Sequence, residues 1–121
     1  LGSVPAPTTS PSGKPNCAQL QRALRTAPDN VWGANTDQHG VAVISATQFG
    51  GEVFPYGVAF AQGCVGATQD GDWGNDSKLA LKKTVMKVQD ALTAMGFKPG
   101  DSDGVWGVNT DKAYKAARRA G

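Results

Sequence analysis

The chain has 121 residues, twelve basic and ten acidic, for a net charge of +2, with one histidine and two cysteines. That length holds one modest core, and the charge excess is too small and too scattered over helix faces to suggest a nucleic-acid reader. One histidine without a cysteine–histidine cluster excludes an ordinary zinc site, so no metal or cofactor is expected. No run is long and apolar enough for a transmembrane helix, and no segment reads as a secretory leader; the expectation is a mature or trimmed, monomeric chain with no membrane partner.

Residues 1–16 carry Pro5, Pro7, Pro11 and Pro15 among Ser, Thr and Gly, a composition that buries too little apolar surface to order itself. They read as a linker from an upstream domain or as a plain N-terminal tail, leaving residues 17–121 as a single domain. Apolar spacing then predicts a helix over 17–26 with Leu20 and Leu24 inward, and one over 37–48 with Val41 and Ile44 inward, weakened by Gly40. A third covers 57–66, with Val58, Ala61 and Val65 on one face. The longest runs over 78–95, where Leu81, Val85, Val88, Leu92 and Met95 form a stripe and Lys82, Lys83, Lys87 and Asp90 fall off it; Gly96 ends it. A last helix over 111–120 turns Tyr114 and Ala117 inward and gathers cations towards its C-terminal end. No segment alternates like a strand, so the fold class expected is all-α, a compact bundle of about five helices.

An internal repeat organises these helices. Asp29-Asn30-Val31-Trp32-Gly33-Ala34-Asn35-Thr36, Asp70-Gly71-Asp72-Trp73-Gly74-Asn75-Asp76-Ser77 and Asp103-Gly104-Val105-Trp106-Gly107-Val108-Asn109-Thr110 use all three tryptophans in one setting. Upstream, Gln21, Gln62 and Gln89 occupy matching places on short helical segments, and the third copy carries six extra residues within its connection around 94–100. Each Asp-Gly or Asp-Asn step signals a turn whose second residue tolerates positive φ. The glycine after each tryptophan is expected to admit backbone close to the indole, and Thr36, Ser77 and Thr110 are expected as helix N-caps.

The pattern resembles the peptidoglycan-binding domain 1 family, in which a Leu-Gln-x-x-Leu helix leads through an Asp-Gly-x-aromatic-Gly-x-x-Thr turn into a second helix. The third copy follows that order throughout, and the first two are shortened. The resemblance implies three helix-turn-helix units and bacterial cell-wall peptidoglycan as partner. Two features depart from it: tryptophan stands where phenylalanine is commoner, and the residues between Gln38 and Val58 have no counterpart in the repeat.

That insertion is where special chemistry is sought. It holds the only glutamate, Glu52, within Gln48-Phe49-Gly50-Gly51-Glu52-Val53-Phe54-Pro55-Tyr56-Gly57. A carboxyl pressed against aromatic rings loses hydration and can keep a proton for a glycosidic oxygen, as a lysozyme-type muramidase requires. Asp72 is the candidate second carboxylate, because it replaces Val31 and Val105 of the sister turns beside a tryptophan. Phe54 and Tyr56 are candidate sugar-stacking rings, Gln48 and Asn75 candidate hydrogen-bonding partners, and Trp73 lies at the same place, although equivalent repeat positions favour core packing for all three tryptophans. The plain alternative makes Glu52 a solvated loop residue and Asp72 a helix-entry charge. His39 has no motif around it and reads as a solvent-facing helix residue.

Cys17 and Cys64 are expected either to pair, closing a long loop worth about 4 kcal/mol in an oxidising compartment, or to be two buried thiols. With cations on the long and last helices suited to anionic wall polymers, these readings converge on a secreted, extracellular, peptidoglycan-active domain. It is expected as a glycoside hydrolase acting on the glycan strand, or as a non-catalytic module targeting an attached enzyme, or as a secreted interaction or inhibitor domain retaining the repeat.

Overall fold

The computed structural model describes residues 17–120; the proline-rich stretch 1–16 lies outside them. Five helices follow in order: α1 Ala18–Ala23, α2 Ala34–Ala46, α3 Val58–Val65, α4 Asn75–Ala94 and α5 Val108–Ala120. Among the described residues there is no strand, and the chain is an all-α bundle. Among the described residues no helix is long and apolar enough to cross a membrane.

The architecture is organised by α4, which touches each of the other four helices. Its stripe is as the spacing predicts: Leu81, Val85, Val88, Leu92 and Met95 are all buried, joining Leu20 and Leu24 of the first unit, Val65 of α3 and Ala113 and Ala117 of α5 in one core. Each fully buried leucine contributes about 2 kcal/mol by removal from water.

Helix α2 differs from expectation at its start and its buried face. It begins at Ala34, and its buried positions are Thr36, Gly40, Ala42, Val43 and Ala46, while Val41 is exposed. The face turns because Gly40, far from merely weakening the helix, lies against the side chain of Tyr114 from α5, where an added Cβ would run into the phenolic hydroxyl. A bare Cα at that point lets the two helices meet.

The expected N-caps are corrected for the same reason of register. Gly33 and Gly74 are the N-cap residues, in extended conformation and without any side-chain cap bond, so Thr36 and Ser77 stand in the first turn, and Thr110 is likewise inside α5. Beyond their chain neighbours, a Cβ at Gly33, Gly74 or Gly107 would meet open space.

The cysteine pairing is also corrected. Cys17 and Cys64 are both buried within the common core, and no bond joins them. Burial pushes the Cys64 thiol up to about 11, which marks an unreactive side chain serving as a small hydrophobe.

Candidate functional site

Three copies of one hydrogen-bond cluster hold the turns of the repeat. In the second, the Gln62 side-chain amide donates to the Asp70 carboxylate at 2.9 Å, to the Asp72 carbonyl at 2.8 Å and to Ser77 Oγ at 3.0 Å. Its oxygen accepts the Gly71 amide at 2.9 Å, and Asp70 accepts the Asp72 amide at 2.9 Å. Gln21 repeats this with Asp29, Val31, Thr36 and Asn30, and Gln89 with Asp103, Val105, Thr110 and Gly104. All three glutamines are buried, and each satisfies its polar ends inside one turn. Asn30, Gly71 and Gly104 all lie at positive φ, 62°, 77° and 77°, as the turn signal predicts. The amides of Val31, Asp72 and Val105, followed by the glutamine side chains, hold the carboxyls of Asp29, Asp70 and Asp103 below the usual aspartate range. The hydroxyl expected as a cap is thus the far anchor of the glutamine.

The third of these turns forms one wall of a groove of about 350 Å³. Gly104, Val105 and Trp106 face the inserted loop, represented by Thr47, Gln48, Phe49 and Glu52, across a floor of Lys78, Leu81, Lys82 and Val85 from α4. The loop is folded back on the end of α2: the amide of Val53 donates to the Ser45 carbonyl at 2.8 Å and that of Glu52 to Thr47 at 3.0 Å. Glu52 itself adopts φ 55°, a conformation uncommon outside glycine, at the tip of this reversal. Phe49 is 46% exposed and also borders a neighbouring cavity of about 310 Å³ lined by α2 and α5, so one residue is shared by two hollows.

Of the residues singled out in the sequence, Glu52 and Gln48 line this groove, and Asp72, Asn75, Phe54, Tyr56 and Trp73 do not. Glu52 is exposed, not pressed among the aromatic rings. Those rings pack on one another elsewhere: Phe54 lies against Trp73 with centroids 4.9 Å apart, and Tyr56 against Phe60 at 5.6 Å. Asp72 is exposed, and so are Val31 and Val105 at the matching positions, 65% and 63%. A charge at a place that faces water in every copy breaks no packing rule, which removes the reason for singling it out. Asn75 is exposed in the first turn of α4.

His39 is half-buried, contrary to its expected solvent-facing position. Its Nδ1 lies 2.7 Å from the Leu24 carbonyl, which can only accept, so Nδ1 carries the proton, and its ring meets the edge of Phe60 at 5.2 Å. That arrangement is structural. Among the tryptophans, Trp106 is buried in the core while Trp32 and Trp73 pack partly buried against it.

Phe49, Lys78, Lys82, Val105 and Trp106 were not singled out as ligand contacts by sequence reasoning. Only Phe49 carried a readable signal, a large ring in the insertion; the rest converge through folding. Among the described residues the ion pairs are Lys115–Asp111 and Arg118–Asp37, so Glu52, Lys78 and Lys82 bring charges of both signs to the groove outside any ion pair. No group of histidine, cysteine and carboxylate side chains that could hold a metal occurs among the described residues. No known protein family, curated protein or solved structure matches the chain.

Proposed function

We propose that this chain is a secreted domain that binds bacterial cell-wall peptidoglycan, and that the groove between the inserted loop and the third turn receives the polymer. The observation that carries this reading is the lining, which brings the apolar Phe49, Val105 and Trp106 together with the polar and charged Gln48, Glu52, Lys78 and Lys82. Wall polymer presents the matching chemistry, with sugar rings that have apolar faces and hydroxyl edges, and stem peptides that carry carboxylates. The likeness of the repeat to a wall-binding family points the same way.

Binding is favoured over glycoside hydrolysis by the acid inventory of the groove. Among the described residues Glu52 is the one carboxylate that lines it, and Asp72 is absent from the lining. Hydrolysis by two carboxylates requires both on one cleft. The hydrolase alternative therefore rests on Glu52 alone.

The test is co-sedimentation with purified cell walls, run beside a turbidity assay on the same walls. Retention without clearing supports the binding module. Clearing by the wild type that Glu52→Gln abolishes would favour the hydrolase, and neither retention nor clearing would leave an interaction or inhibitor domain.

A further inference from the structure

The first and third repeats treat equivalent carboxylates differently. Trp106 Nε1 donates to Asp111, five residues on, at 3.3 Å. Asp37 stands at the same offset from Trp32, but its carboxylate faces α5, where it takes both the Nε and an Nη of Arg118, the second at 3.1 Å. Trp32 Nε1 is consequently left buried without a partner, and so is the hydroxyl of Tyr114, whose ring meets the indole of Trp32 edge-on at 5.4 Å. Two buried donors thus lie beside a carboxylate turned away from them. Buried donors without acceptors are rare and costly, and the third repeat displays the geometry that would satisfy one of them.

We infer that Asp37 has two positions, an outer one paired with Arg118 and an inner one bonded to Trp32 Nε1 and within reach of the Tyr114 hydroxyl, and that an oxyanion captured by Arg118 releases it inward. Arg118 is suited to the exchange. Its side chain is 54% exposed, and it borders an open hollow together with Arg119, Trp32 and Asp37. A carboxylate or phosphate group docking there accepts the same forked pair of donors that Asp37 now takes. The groups facing Asp37 are Arg118, Trp32 and Tyr114, and Lys115 is held by Asp111 at 2.9 Å. The inference does not depend on what the groove near Glu52 binds.

The test follows the indole N–H resonances of the three tryptophans by NMR. In Arg118→Ala, with no anion added, the Trp32 indole proton is expected to move downfield towards Trp106, while Trp106 and Trp73 stay in place. In Arg118→Ala/Asp37→Ala the shift is expected to vanish. Titrating the wild type with inorganic phosphate or with acetate, against chloride at equal ionic strength, distinguishes the two oxyanion classes; saturable movement of the Trp32 signal by either, absent with chloride and absent in Arg118→Ala, supports the capture step. A Trp32 signal unmoved in Arg118→Ala would overturn the two-position carboxylate. Equal movement with all three salts would reduce the anion effect to screening and overturn capture.

Discussion

Gln62 spans the second turn of the repeat and bonds the Asp70 carboxylate at 2.9 Å while wholly buried. The same side chain closes the turn on three other sides. Replacing it by leucine keeps much of the volume but strips partners from the Gly71 amide, the Asp72 carbonyl and Ser77. The expected cost is about 3 kcal/mol, read from urea unfolding, because one substitution removes four hydrogen bonds that close the turn and leaves the buried Ser77 hydroxyl without its partner. A loss of under about 0.5 kcal/mol, the range of ordinary surface changes, would show that the network is incidental.

The three turn aspartates predict a shared acid sensitivity. Their folded carboxyls titrate below the unfolded value, so their contribution is present above the unfolded value of about 4 and is lost as pH falls through the lower folded values. The urea midpoint should therefore decline steadily below about pH 4. In a triple Asp29→Asn, Asp70→Asn, Asp103→Asn protein, which keeps an acceptor at each turn, that slope should flatten; an unchanged slope would place the acid sensitivity elsewhere.

Gly40 and Tyr114 make an opposite prediction to the helix propensity rule. Glycine to alanine inside a helix ordinarily stabilises by up to about 1 kcal/mol. Here the added methyl meets the Tyr114 hydroxyl, and Gly40→Ala should destabilise by about 1–3 kcal/mol. Tyr114→Phe should recover part of that loss, since it removes the obstructing oxygen. Thermal melts of both singles and the double give the coupling, and additive effects would contradict the contact.

These residues also mark how far the sequence was legible. The helix order, the α4 stripe and the left-handed step at Asn30, Gly71 and Gly104 follow from periodicity and turn chemistry, which are local. The glutamine clusters were visible as matching letters, yet their meaning was missed because a hydroxyl after a turn reads first as a cap, and helix starts shift by a turn without changing the pattern. The surroundings expected for Glu52 are not those it has: Phe54 and Tyr56 find Trp73 and Phe60 as partners, and no local rule says which ring an aromatic residue will choose. The groove brings together residues from the insertion, α4 and the third turn, and that convergence is a tertiary property.

Reduction should leave the protein unaltered. With Cys17 and Cys64 buried and unbonded to one another, a strong reductant is expected not to lower Tm, and thiol labelling should be slow until urea is added. The Cys64 thiol, raised from 9.0 to about 11, adds an alkaline limit: its contribution is complete below the unfolded value and is lost as pH rises through the folded one. A fall of Tm on reduction would restore the cross-link that the structure does not form.

Phe49 offers the most direct test of the proposed site, because it is half exposed, borders two hollows and holds no core position. Co-sedimentation of Phe49→Ala with purified cell walls, against the wild type, should show apparent affinity reduced about tenfold, equivalent to about 1.4 kcal/mol, with Tm unchanged. Wild-type retention matched by Phe49→Ala and by Lys78→Ala/Lys82→Ala would contradict the assignment of the groove as the polymer site.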